Sequence, residues 1–412
     1  MADKSRPEQL AVFGAPPSFD EPLHVGRPNV PDRARLMARL GDALDRRWLT
    51  NDGPCVRELE RRVAERLQVE HVVAVANGTL GLALAAAALG LRGEVIVPAL
   101  TFVGTAHALR WVGLRPVFAD VDPQTYTVDP ASVEAAITPA TSAVFGVHLW
   151  GRTCDVERLE AVARTRGLAL GFDAAHAFGC RRGGRPVGGF GDVEVFSLHA
   201  TKIVNAFEGA LVTTDDPGLA RRLAALRNFG FEGYDRVGGL GINAKMNEAS
   251  AAMALGGLDE LDALVAAGAR ITACYEKALA GVPGLLRATR GSDDSGNHHY
   301  CVVEVDAEQA GLSRDDLLDV LWAENIRARR YFHPGCHRVE PYRSERETTL
   351  PVTDALLDRV MQLPAGAAVT TGEVDVVCAV VRTAVAFADT VRPHVRERRA
   401  AGSSRYGFPD AR

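Results

Sequence analysis

Lys202 closes the segment SLHATK, and lysine is rare in this chain. Of its 47 Lys+Arg residues, only Lys4, Lys202, Lys245 and Lys277 are lysine. Arginine stays protonated and is a poor nucleophile, whereas a desolvated lysine can lose its proton and attack a carbonyl. A chain that uses arginine for plain positive charge, yet keeps a lysine between the apolar runs VEVF and ALV, points there to amine chemistry. The competing explanation is a solvated lysine at a strand end.

Three more stretches carry polar groups at places where apolar strands end. In VANGTLGLALA a strand gives way to Asn77-Gly78-Thr79 and then to a helix. Helix N–H groups, a glycine that permits close approach and a hydroxyl suit a phosphate, although a plain capped helix start has the same look. In GFDAAHAFGC, Asp173 ends an apolar strand and His176 follows three residues later. A carboxylate so placed requires a cationic partner or strong donors, whether a ligand's heterocyclic N–H⁺ or a backbone turn. Phe102 lies in PALTFVGT, and Ser197 opens SLHATK. Singly, each is as well explained by packing. Together they supply a phosphate cradle, an aromatic face, a carboxylate for a ring nitrogen and an amine for an aldehyde. Pyridoxal 5'-phosphate needs that set: the lysine forms a Schiff base, and the aspartate keeps the pyridine protonated as an electron sink.

The elements that must position these groups alternate along the chain. Short β-rich runs (HVVAVA, EVIVPA, RPVFADV, SAVFGVH, ALGFDAA, VEVFSL, GALVTT) are separated by helical stretches, which predicts an α/β domain with a mostly parallel, buried central sheet flanked by helices. In such sheets ligands bind beyond the carboxyl ends of the strands. Residues 1–50 are expected to be an arm and a helix, 51–265 the large domain, 266–385 a smaller C-terminal α/β domain, and 386–412 a charged, mobile tail. The stretch from Asn247 to Leu279 is expected to be helical and broken near Gly256–Gly257 and Gly268.

Composition narrows the class. A 412-residue chain with 47% hydrophobic and 24% charged residues has the balance of a globular protein, and a net charge of −5 gives no reason to expect nucleic-acid binding. The seven cysteines are scattered without a C-x-x-C pair, which favours reduced thiols and a cytoplasmic setting over a disulfide framework or a metal site. No stretch has the length and apolarity of a signal peptide or membrane span.

The ordered series PLHVGRPN, RRWLTNDGPCVRELE, VIVPALTFVGT, PVFADVDPQTYTVDP, GVHLWG, FDAAHAFG, FSLHATK and GINAKMNEASAA resembles the DegT/DnrJ/EryC1/StrS family of sugar aminotransferases, enzymes of pyridoxal-phosphate fold type I. The resemblance runs from about Pro22 to Pro364. It implies that Lys202 is the Schiff-base lysine and proton shuttle, and that Asp173 pairs with the ring nitrogen. It further implies His176 at the ring hydroxyl, Phe102 stacked on the ring, and Gly78, Thr79 and Ser197 at the phosphate. Asn243 would reach the phosphate of a neighbouring subunit, so a homodimer is implied. His148, Lys245, Tyr331, His333 and His337 are the candidate substrate contacts, with Arg330 beside them. Departures from the commonest family pattern (Asn77, Trp150, Lys245, Ala206 and Ala210) remove no catalytic group.

The function so implied is transfer of an amino group from L-glutamate, through pyridoxamine 5'-phosphate, to C4 of a nucleotide-linked 4-keto-6-deoxyhexose such as dTDP-4-keto-6-deoxyglucose. A 3-aminotransferase is the near alternative. A non-catalytic, cofactor-binding regulator is the alternative of another class; the complete catalytic set and the lack of a basic patch weigh against it.

Overall fold

The computed structural model describes residues 4–287, 294–345 and 348–402. Its centre is a seven-stranded sheet of β1 (His71–Val75), β2 (Glu94–Pro98), β3 (Arg115–Ala119), β4 (Thr141–Val147), β5 (Ala169–Asp173), β6 (Val193–Ser197) and β7 (Ala210–Thr214). The order is β1-β7-β6-β5-β4-β2-β3. Only β7 runs against its two neighbours; the remaining pairs are parallel. Alternation in the strands serves two cores: Val73, Val75, Val95 and Val195 face one, while Ala74, Ile96, Leu170 and Phe196 face the other. A sheet buried on both faces needs the near-continuous apolar runs read from the sequence.

The connecting helices fix where the strand ends lie. α1 (Gly78–Ala88) starts directly after β1, and α2 (Val103–Trp111) starts beyond β2. The expected long helix is two, α3 (Glu248–Asp259) and α4 (Leu261–Leu279), and they part at Glu260 rather than at a glycine. The glycines serve close approach instead. A Cβ on Gly256 would stand 2.8 Å from Pro31, and one on Gly268 would stand 2.6 Å from the His298 carbonyl oxygen.

α4 leads to a second core around a three-stranded antiparallel sheet, β8 (Leu285–Arg287), β9 (Cys301–Val305) and β10 (Val360–Leu363). The N-terminal arm and the segment expected to be a mobile tail both join this core. Leu10, Val12 and Leu23 of the N-terminal arm are buried in it, and Glu324 holds the arm by accepting from the Ala11 and Ser18 N–H groups and pairing with Lys4. At the other end, residues 388–400 form a helix rather than a mobile tail. Val391 and Val395, one turn apart, are buried in the same core, and Arg396 and Arg399 bond Asp316. The high charge density that suggested mobility is the outer face of a docked helix. Residues 403–412 lie outside the described residues.

Candidate active site

Register levels the strand ends. Val75 and Ser197 both pair with Ala210, and Asp173 pairs with Val147 and Val195. The polar residues that follow therefore gather beyond one edge of the sheet. They line a cleft of about 1220 Å³ that contains Gly78, Thr79, Phe102, Asp173, His176, Ser197 and Lys202. Among the predicted substrate contacts, His148, Tyr331 and His333 line it too, beside Phe332.

Lys202 sits on a tight turn. Its N–H donates to the His199 carbonyl at 2.9 Å, and the next two residues, Ile203 and Val204, are buried anchors. The N-terminal arm stitches the turn down, because Asn29 Nδ2 donates to the Ile203 carbonyl at 2.9 Å. From the second domain, His299 Nε2 lies 2.8 Å from the Thr201 carbonyl. Burial pushes the Lys202 ammonium down to about 8, with the Asp173 carboxylate pulling it the other way. The amine thus loses its proton far more readily than an exposed lysine does, although the ammonium still predominates at neutral pH.

Asp173 is buried at the end of β5. Thr105 Oγ1 donates to its Oδ2 at 2.7 Å and the Ala175 N–H donates to its Oδ1 at 3.0 Å. Burial raises its carboxyl pKa, while the Thr105 and Ala175 bonds and the Lys202 charge oppose the rise. A carboxylate so enclosed is completed by a further cationic donor from the cleft. His176 accepts the Trp150 N–H at Nδ1 over 3.3 Å, which leaves the proton on Nε2. Burial, then the Lys202 and His299 charges, holds its pKa well below the usual histidine range, so the ring is a neutral donor.

At the start of α1, Asn77 caps the Leu80 N–H at 2.9 Å. The Gly78 and Thr79 N–H groups are the first in the helix and have no intrahelical acceptor. A Cβ on Gly78 would stand 3.3 Å from Ser197 Cβ, so glycine keeps these donors close to the Ser197 hydroxyl. Phe102 opens α2 with 60% of its surface bare, which is unusual for phenylalanine and leaves a ring face over the cleft. Donors for a phosphate, an open aromatic face, an enclosed carboxylate and a neutral-leaning amine fit pyridoxal phosphate group by group.

Other predicted residues are held by partners of their own. His148 is fully buried, stacked on Phe172 with ring centroids 4.6 Å apart, and its Nε2 faces Glu194 at 3.4 Å. Its Nδ1 accepts the Cys154 N–H, so the ring is bonded to the interior beside β5 at the point where the residue lines the cleft. His337 is likewise buried and bonds Asp354 at 2.9 Å, off the cleft. Lys245 donates to Asn228 at 2.8 Å and lies over the Phe229 ring, while Asn243 is exposed on the same segment; neither lines this chain's own cleft. Thr105 and His299 were missed. The threonine three residues after Phe102 was the available signal for the first, whereas nothing local marks the second. All seven cysteines are free, and no cluster of metal-ligating side chains occurs among the described residues. No described helix is long and apolar enough to cross a membrane.

A largely parallel sheet with a lysine turn, a carboxylate at a strand end and a helix-borne anion cradle defines a pyridoxal-phosphate-type transferase. The chain belongs to the DegT/DnrJ/EryC1/StrS aminotransferase family, whose match spans residues 31–382. It is 34% identical to the dTDP-4-amino-4,6-dideoxy-D-glucose transaminase of Escherichia coli, over 84% of this chain and 94% of that protein. Among solved structures it resembles DesI, crystallised in the presence of its TDP-sugar product, with a TM-score of 0.90, 50% identity, and coverage of 96% of this chain and 99% of that one. DesV of S. venezuelae, solved in complex with a ketimine intermediate, is 31% identical with a TM-score of 0.81, covering 87% of this chain and 99% of that one.

Proposed function

We propose that this sugar aminotransferase uses pyridoxal phosphate to move the amino group of L-glutamate to C4 of dTDP-4-keto-6-deoxyglucose, giving dTDP-4-amino-4,6-dideoxyglucose. The observation that carries the reading is Lys202, a lysine whose pKa burial lowers to about 8, in the same cleft as an enclosed aspartate and an open helix N-terminus. The names of the Escherichia coli relative and of the DesI product complex support a nucleotide-linked amino sugar.

Bound in the cleft, the cofactor supplies an aldehyde for amine exchange and a ring that draws electron density when its nitrogen is protonated. The chain's own groups do the remainder. Gly78 and Thr79 N–H and the Thr79 and Ser197 hydroxyls hold the phosphate. Asp173, oriented by Thr105 and Ala175, keeps the ring-nitrogen proton in place. His176 would donate Nε2–H to the ring oxygen, and Phe102 would lie against the ring. Lys202 Nζ removes the Cα proton of the amino donor and later delivers a proton to the sugar carbon that receives the amine.

A homodimer completes the site. Phe229, Tyr234, Leu240 and Ile242 are all exposed on the segment that carries Asn243. That apolar fringe is what a second copy of the chain would cover, bringing Asn243 to its partner's phosphate cradle. Mixing the cofactor-loaded protein with L-glutamate tests the first half of the reading. One equivalent of 2-oxoglutarate per subunit, with bleaching of the cofactor absorbance, is the expected result, and Lys202→Ala protein should bind cofactor without turnover. Sustained turnover by that variant overturns the assignment.

A further inference from the structure

Most charged side chains of the cleft are already matched. Lys202 faces Asp173, Glu208 approaches His199 at 3.5 Å, Glu340 pairs with Arg343, and Arg330 lies 3.5 Å from Asp315. Arg329 is different. It is exposed, it lines the cleft, and among the described residues its guanidinium has no acidic partner, lying instead 5.1 Å from the centre of the Tyr331 ring. Its backbone is fixed: the Arg329 N–H donates to the Gln362 carbonyl at 3.0 Å, and the Gln362 N–H returns the bond at 2.8 Å. Residues exchanging both bonds across an antiparallel bridge project their side chains to the same face. Gln362 also lines the cleft, is only 2% exposed, and has a buried Oε1 without a partner. A rigid pair of neighbours thus offers one planar cation and one unsatisfied carboxamide to the same space. The surrounding field is positive as well, because Arg327, Arg27 and Arg329 all add to burial in lowering the pKa of nearby His24.

We infer that Arg329 and Gln362 form the carboxylate-recognition subsite for the amino donor. A guanidinium matches a carboxylate's two oxygens, and the Gln362 amide, turned with its N–H₂ outward, supplies a further donor. The inference rests on the proposed transaminase function and names which part of the cleft admits its dicarboxylic donor. A diphosphate of the nucleotide sugar would satisfy the same cation. The carboxylate is favoured because the partnering group is a neutral amide on a buried strand end, which suits one flat anion.

The test titrates cofactor-loaded wild-type, R329M and Q362E proteins with glutarate, a dicarboxylate that lacks the amine, and separately with dTDP, both by calorimetry. Glutarate affinity should fall about 10- to 100-fold in R329M, as for loss of a charged hydrogen bond, and comparably in Q362E through repulsion. Affinity for dTDP should change by less than about threefold, and the L-glutamate concentration that half-saturates cofactor bleaching should rise in step with the glutarate loss. Unchanged glutarate affinity in both variants overturns the subsite. A loss of dTDP affinity in place of glutarate affinity also overturns it and assigns Arg329 to the diphosphate. Wild-type protein that binds glutarate through Arg329 but is not converted by L-glutamate keeps the subsite and refutes the donor identity instead.

Discussion

Lys202 offers a titration that the structure specifies quantitatively. Burial lowers its pKa from 10.5 to about 8, and Asp173 opposes that shift. At pH 7 a displacement of this size multiplies the neutral fraction of the amine roughly 300-fold. Competitive acetylation of cofactor-free protein, followed by mass spectrometry, reads this fraction residue by residue, with exposed Lys277 as internal reference. The Lys202 labelling rate should climb about tenfold per pH unit up to about pH 8 and then level off. Asp173→Asn removes the charge that favours the ammonium, so the midpoint should move below that of the wild type. A Lys202 rate that keeps rising to about pH 10 would refute the desolvated environment. An upward shift in Asp173→Asn would refute the pairing of the two residues.

Other outcomes follow from single contacts. Thr105→Val deletes the 2.7 Å donor to Asp173 and should weaken cofactor retention about 10- to 100-fold, measured by equilibrium dialysis, with the fold intact by circular dichroism. Glu324→Ala strands buried Lys4 and the Ala11 and Ser18 donors, so unfolding in urea should show a loss of about 3–5 kcal/mol; Glu324→Gln, which keeps one of the two oxygen acceptors, should lose less.

Period-two and period-3.6 patterns made the large domain legible, because a sheet covered on both faces leaves continuous apolar runs bounded by turns. Asp173, Ser197 and Gly78 stood out in sequence for the same reason: each is a polar or small residue where such a run stops. Residues whose roles depend on distant partners were not legible. Gly256 and Gly268 look like helix breakers locally, yet Pro31 and His298 press on them from elsewhere. His148 and His337 were named from the family resemblance, whereas Phe172, Glu194 and Asp354 decide where their rings lie. Arg329 was hidden among neighbouring arginines, since only the cross-strand bond to Gln362 sets it apart. The C-terminal helix was obscured by its charge: two valines a turn apart carry its docking, too sparse a signal beside the surrounding arginines.

The central claim is amination at C4 of a nucleotide-linked sugar. Incubating the pyridoxamine-loaded protein with dTDP-4-keto-6-deoxyglucose, free of L-glutamate, and recording the proton and carbon NMR spectra of the product tests it directly. The account predicts one equivalent of a 4-amino-4,6-dideoxy sugar per subunit, with the cofactor absorbance restored. An amine at C3, or no reaction with this sugar while the 3-keto isomer is converted, would contradict it.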